Sequence, residues 1–441
     1  MTTRLKNFLR YSKPERLIVL GYSLIILLGF LLLCLPICHK QPVAALDNLF
    51  IATSALSTTG LATVSVADNY NFLGELVILL LIQLGGIGYM SIGSFIILGR
   101  KKRLSETGVR LIQFDFSLPD KYPVLHFVKD VIIFSIVIEV LGALGLYFIF
   151  LENGVDNALW SAIFHSISAF CTAGFSLFNN SFEGYYDNFY LNAVISALSF
   201  AGAVGFIVFS DYYEYLLKPG KKITYTSKII LRFTLIVFVV AGMILLVSDE
   251  GLHGYPTEDK ILLAFFQSMT ALTTVGFNSY PIGNLLPSSL FLLTIVMFFG
   301  ASPSGTGGGL KSTTITALYA QMMATLKGKR EVTFLHRIIP NHRVRLAASN
   351  FFFYSTVLTL GILALLLTEK PDAFSLLFEA TSALGTVGIS TGITGELSVL
   401  GKLIIVALMF FGRIGPLSLG VAIMANKEEE KEEIVEEDLA I

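Results

Sequence analysis

Long and short apolar runs alternate along this chain in a repeating order. Runs at 17–37, 74–98, 129–150, 191–210, 229–247, 289–325 (with an interruption), 350–367 and 401–425 approach or exceed the ~20 residues of helix that cross a bilayer. Within each consecutive pair lies a shorter apolar piece, at 47–57, 157–171, 259–273 and 373–385, too short to cross. Each short piece runs into a related string: "SALSTTGLAT" at 54–63, "SAFCTAGFSL" at 168–177, "TALTTVGFNS" at 270–279 and "SALGTVGIST" at 382–391. One Thr-x-Gly carries no signal. Four at near-equal spacing, each in the same apolar setting, mark an internal repeat.

The repeating unit is therefore a span, a re-entrant half-helix, a Thr-x-Gly turn and a second span. The units occupy 17–98, 129–210, 229–325 and 350–425, between an N-terminal segment, 1–16, and a tail, 426–441. The predicted fold is an all-α polytopic membrane protein of four span–pore-helix–span repeats. It has eight transmembrane helices and four re-entrant pore loops in pseudo-fourfold arrangement around one ion pore, with both termini on the same side.

Composition agrees and removes alternatives. Among 441 residues 54% are hydrophobic and 14% charged, and the mean hydropathy of +0.72 excludes a soluble domain. The first run follows Arg4, Lys6, Arg10, Lys13 and Arg16 and ends in Leu35-Pro36-Ile37, a poor cleavage site, so it reads as a permanent span. Cys34, Cys38 and Cys171 are too few for a disulfide framework; Cys34 and Cys38 either pair or fill space near the end of a span.

Charge sets the orientation. Cations gather at the N-terminus, at Arg100 to Arg103, at Lys218, Lys221, Lys222 and Lys228, and from Lys327 to Arg345. The other side holds only Lys40, Lys260, Lys370 and Lys402. The positive-inside rule places both termini in the cytoplasm of a cell membrane and opens the four turns outward. The outer loops are acidic, including Glu183, Asp187, Asp249 and Glu258, and read as solvated loops that also concentrate cations at the mouth.

Non-helical backbone at membrane depth is tolerated where protein buries it or where it lines a wet cavity. Four symmetric turns can face one axis, where their carbonyls replace the hydration shell of a cation. The expected selectivity filter is Thr58, Thr59 and Gly60, Thr172, Ala173 and Gly174, Thr274, Val275 and Gly276, and Thr386, Val387 and Gly388. Glycine permits the dihedrals that turn carbonyls inward. Each half-helix aims its partially negative C-terminal end at the pore centre. No acidic residue stands in the turns, which suits a monovalent ion.

"GASPSGTGGGLKSTT", at 300–314, looks at first like a phosphate loop. A Walker loop counted from Gly305 requires a second glycine where Leu310 stands. No histidine or acidic cluster lies near, so an enzyme acting on phosphates is not expected. Pro303 and the glycines Gly305, Gly307, Gly308 and Gly309 instead oppose helix. Helix resumes after Lys311, with Ser312, Thr313 or Thr314 as caps. The segment 300–312 thus reads either as a gate loop just inside the filter or as a static kink. Arg413, in the matching span of the fourth unit, is costly in hydrocarbon and should bond to backbone carbonyls or to this loop. With Lys311 it places positive charge in the path of a cation. Glu139 reads as a carboxyl hydrogen-bonded between spans.

Through the four Thr-x-Gly turns, the 300–314 loop and "FFGRIGPLSLG" at 410–420, the chain resembles the Trk/Ktr/HKT superfamily of potassium transporters, and most of all its bacterial KtrB-type membrane subunits. The resemblance implies potassium as the transported ion, sodium as a candidate activator, and one filter glycine per repeat. Glycine rather than serine at position 60 matches the potassium-preferring members. It also implies an intramembrane gate at the glycine loop, a homodimer with one pore per subunit, and a cytosolic ring of RCK-type nucleotide-binding regulatory proteins. No cofactor in this chain and no nucleic-acid partner is expected; the membrane's lipids surround it. A sodium/potassium symporter with coupled alternating access is the alternative. It calls for inverted repeats, whereas these run parallel. The acidic tail "NKEEEKEEIVEEDLAI" is either a solvated segment or a docking element for a basic partner.

Overall fold

The computed structural model describes residues 14–88, 109, 112–113, 124–415 and 420. The basic residues before Pro14, the 100–103 cluster, the far ends of the runs 74–98 and 401–425, and the acidic tail lie outside the described residues.

Numbering only the longer helices, the chain runs α1 (Pro14–Leu33), α2 (Ala45–Leu56), α3 (Phe72–Gly86), α4 (Val124–Glu152), α5 (Ala158–Phe170), α6 (Phe189–Val204), α7 (Phe206–Leu217) and α8 (Tyr225–Ser248). It continues with α9 (Thr257–Thr273), α10 (Pro287–Phe298), α11 (Ser312–Leu326), α12 (Asn341–Thr368), α13 (Ala373–Gly385) and α14 (Val399–Ile414). The protein is an all-α polytopic membrane protein of four span–pore-helix–span units. A small hairpin follows α11, pairing β1 (Thr333–Phe334) with β2 (Arg337–Ile338) through Thr333↔Ile338 and Phe334↔Arg337.

The long helices α1, α4, α8 and α12 satisfy the length and hydropathy of a membrane span. They leave large apolar side chains uncovered, such as Leu24, Leu141, Leu235 and Leu360, as a surface facing lipid requires. The short helices α2, α5, α9 and α13 lie inside. Ile51, Phe164, Leu263 and Phe378 on them are fully or almost fully buried, and each pairs with the long helix before it.

Helix starts on the side of the Thr-x-Gly turns are capped so that their first N–H groups keep hydrogen bonds. The Asn71 side chain accepts from Leu73 and Gly74 N–H at the start of α3, Asn188 from Leu191 N–H at α6, Asp372 from Phe374 and Ser375 N–H at α13, and Ser398 from Gly401 N–H at α14. α10 instead begins on Pro287, which has no N–H to satisfy.

Three expectations change. The run 191–210 is not one straight span: α6 ends at Val204, Gly205 takes φ 94°, and α7 leaves at 94° to it. Helix after the glycine loop is not capped by a hydroxyl. Lys311 occupies the N-cap position without a side-chain cap, and Ser312 is already helical. Asp249 is buried rather than solvated, accepting from Gly251 N–H at 2.9 Å and Leu286 N–H at 3.1 Å. Cys34, Cys38 and Cys171 are free thiols; the Cys38 thiol donates to Leu32 O.

Candidate functional site

The four Thr-x-Gly turns share one geometry. Every short helix terminates in a left-handed threonine: Thr58 at φ 51°, Thr172 at 51°, Thr274 at 59° and Thr386 at 50°. The next residue returns its N–H to the helix, Thr59 to Ser54 O, Ala173 to Ser168 O, Val275 to Thr270 O and Val387 to Ser382 O, at 2.8 to 3.2 Å. This is the helix-terminating pattern in which a left-handed residue recovers orphan carbonyls. A β-branched residue in that conformation is uncommon, and it holds here because backbone bonds fix both sides of it. The glycine follows at φ 95° (Gly60), 65° (Gly174), 86° (Gly276) and 96° (Gly388), closed to ordinary side chains.

These turns close on one another in sequence. A methyl group built on Gly60 would lie 2.5 Å from Ala173 O. One on Gly174 would meet Val275 O, one on Gly276 would meet Val387 O, and one on Gly388 would meet Thr59 O. Each glycine thus abuts the middle carbonyl of the next unit, and the fourth returns to the first. The ring floors a vestibule of about 480 Å³ that all four glycines line.

The glycine loop touches the threonine side of the same ring. The Thr58 hydroxyl donates to Thr306 O at 3.4 Å, and the Thr172 and Thr306 hydroxyls are 3.1 Å apart. Side chains on Gly307 and Gly308 would strike the Thr274 and Thr386 hydroxyls, which are buried with no hydrogen-bond partner among the described residues. All four threonines therefore face the loop.

The loop is anchored at several points. Gly305 fits only because it has no side chain: a methyl group would lie 2.6 Å from Ala203 O. Gly309 takes φ 72°. The Lys311 ammonium donates to Gly307 O at 2.7 Å. Arg413 donates from Nη1 to Thr58 Oγ1 at 2.9 Å and to Thr306 O, and from Nη2 to Gly85 O. One guanidinium thus joins a turn, the loop beneath it and α3. The bend at Gly205 completes the clasp: Phe206 N–H donates to Ser304 O and Ile207 N–H to Ser304 Oγ.

A sequence model of the TrkH cation transport protein family matches residues 23–436. The chain belongs to this family. A potassium/sodium uptake protein, NtpJ, of Enterococcus hirae is 33% identical, covering 100% of both chains. A Ktr system potassium uptake protein B of Bacillus subtilis is 35% identical over 93% of each. The crystal structure of the potassium transporter TrkH from Vibrio parahaemolyticus superposes with a TM-score of 0.72 at 21% identity, covering 92% of this chain and 84% of that one, a likeness of fold. This TrkH-family chain is a membrane cation transporter and not an enzyme.

Behind the turns, this TrkH-family chain carries polar braces that no repeated residue type marks in the sequence. Glu379 on α13 accepts from the hydroxyls of Ser390 and, at 3.1 Å, Thr394. Gln267 on α9 donates to Ser279 Oγ at 3.2 Å. His165 on α5 donates from Nδ1 to Ser161 O, accepts the Leu177 N–H at Nε2, and reaches Ser176 Oγ at 3.0 Å. All three stand at the same place, three residues before the Ser or Thr that opens each repeated string; in the first unit that place is Ile51. A search for identical residues passes over it because the three side chains differ.

Glu379→Leu is expected to remove the buried acceptor of the Ser390 and Thr394 hydroxyls, which keep only their bond to each other and the Gly392 N–H, at roughly 1–3 kcal/mol in all. The unfolding temperature should fall and sodium permeation rise relative to potassium. Glu379→Gln, which keeps the acceptor, should stay near wild type; paired unfolding and ion-flux measurements check both.

Glu139 lies as expected between spans. Its two carboxylate oxygens each sit 2.9 Å from Gln83 Nε2, and its backbone carbonyl accepts from Ser166 Oγ.

Proposed function

We propose that the protein is a potassium uptake pore whose selectivity filter is Thr58–Gly60, Thr172–Gly174, Thr274–Gly276 and Thr386–Gly388. The closed ring of four turns, with the glycine loop against all four inner threonines, carries this reading. Carbonyls converging on one axis offer oxygen ligands to a desolvated monovalent cation without fixed negative charge. The vestibule is the entry, open to the outside, with both termini cytoplasmic. The segment 300–312 is the gate, held shut by Arg413 and Lys311, whose charges also repel a cation beneath the ring. Inward flux runs on the membrane potential, ~2.3 kcal/mol per charge per 100 mV. The uptake proteins of Enterococcus and Bacillus named above support potassium as the substrate, with sodium as a candidate activator.

Control resides outside the chain. A homodimer seated on a cytosolic RCK-type nucleotide-binding ring fits the naming of the Ktr-system relatives and the cationic segments around Lys218 and Lys327. Ion flux into proteoliposomes under an imposed potential tests this. Potassium flux should exceed sodium flux and should change severalfold when the cognate ring and its nucleotide are added. Flux no greater than that of empty vesicles, with and without the ring, overturns the reading.

A further inference from the structure

A pocket of about 330 Å³ lies between the β1–β2 hairpin and the first turns of α8, sharing no lining residue with the vestibule, and is lined in part by Tyr225, Lys228, Arg232, His336 and Arg337. Its two walls are tied by the Tyr225 hydroxyl, which donates to Phe334 O at 2.7 Å. Three permanent cations therefore converge from different segments. None of Lys228, Arg232 and Arg337 has a carboxylate partner among the described residues, where the ion pairs lie elsewhere. Unpaired like charges drawn to one concavity repel one another, so the arrangement suits an anion.

The same face of α8 continues beyond the cations as bare hydrocarbon surface. One turn after Arg232 come Leu235 and Ile236, 62% and 61% exposed, followed by Val239, Val240 and Met243, all exposed. Counting about 20 residues back from Ser248 brings the edge of the hydrocarbon layer to Lys228. The two guanidinium groups thus sit where headgroup meets acyl chain, and Arg232 can reach outward along its own stem.

We propose that this pocket binds the phosphate of an anionic phospholipid whose acyl chains lie along the exposed stripe of α8. Guanidinium groups on two walls match the paired oxygens of a phosphodiester. Basic pockets at the headgroup level beside transmembrane helices recognise such lipids. A soluble phosphate could use the cations but leaves the stripe unused. An occupied pocket fastens the hairpin to α8, and the hairpin continues from α11, the helix that leaves the glycine loop.

The test titrates the purified full-length protein in neutral detergent with phosphatidylglycerol, phosphatidylcholine and glycerol phosphate, reading bound lipid by native mass spectrometry. Phosphatidylglycerol should bind at least about tenfold more tightly than phosphatidylcholine, and glycerol phosphate should compete weakly. Removing two interfacial cations together, Arg232→Gln with Arg337→Gln, should weaken phosphatidylglycerol binding by roughly thirtyfold. Arg232→Lys with Arg337→Lys should retain most of it. If the glutamine pair does not fold, Lys228→Gln alone gives the same reading with a drop of about fivefold. Unchanged phosphatidylglycerol affinity in a folded variant overturns the proposal. Displacement of the lipid by an equal concentration of glycerol phosphate also overturns it, and assigns the pocket to a soluble anion.

Discussion

Gly276→Ala is expected to abolish potassium uptake while the protein still folds and inserts. At φ 86° an alanine there costs about 1–2 kcal/mol in backbone strain alone. Its methyl group would also press on Val387 O and lie 3.2 Å from Gly388 Cα in the next turn. Because the four turns abut in a ring, the displacement passes to the fourth unit rather than stopping at the third. A misfit that adds ~3 kcal/mol to the conduction barrier lowers flux roughly a hundredfold. Gly154→Ala separates the two contributions. Gly154 also has positive φ, 68°, but an added methyl would meet nothing within 4 Å. That variant should lose a little stability and keep wild-type flux. Equal flux from Gly276→Ala and wild type would remove the ring from the conduction path.

Arg413→Ala is expected to act in the opposite direction and raise potassium flux in the absence of any cytosolic partner. Arg413 makes the bonds that fasten Thr306 of the glycine loop to Thr58 of the first turn. Hydrogen bonds to a charged donor contribute about 1.5–3 kcal/mol each. Losing the one to Thr306 O favours the displaced loop by at least about tenfold, and a positive charge leaves the underside of the ring as well. The change also strands Gly85 O, so some loss of stability accompanies it. Lys311→Met supplies a second reading, since it breaks only the bond to Gly307 O; it should raise flux less. Unchanged or reduced flux in either variant, measured where the protein is still fully folded, contradicts a gate held by these two cations.

The parts that could be read from the sequence are those where chemistry and membrane conflict. A short apolar piece that stops at Thr-x-Gly can neither cross the bilayer nor end bare within it, and regular repetition of that conflict marks a re-entrant turn. The helices Ala45–Leu56, Ala158–Phe170, Thr257–Thr273 and Ala373–Gly385 lie where they were expected. Arg413 stood out because a guanidinium in hydrocarbon needs partners, and its partners include the carbonyl of Thr306 in the loop.

What stayed hidden depends on tertiary contact. Propensity assigns positive φ to glycine, so the left-handed threonines could not be foreseen; neighbouring backbone bonds impose them. The bend at Gly205 lies in "AGAVGFIVF", an apolar run with no proline, and it exists because Ser304 of the loop takes up the N–H groups that the bend frees. The braces of His165, Gln267 and Glu379 share a position rather than a residue type, and only the three-dimensional turn shows that they do the same work.

Four turns from four units are expected to make one cation site above the glycine loop. Anomalous scattering from crystals of the transport-competent protein grown in rubidium, a potassium surrogate, would locate that site. A rubidium peak is expected on the axis bounded by the carbonyls of Thr59, Ala173, Val275 and Val387. Ordered rubidium elsewhere in the membrane region, with that axis empty in a preparation that transports potassium, would contradict it.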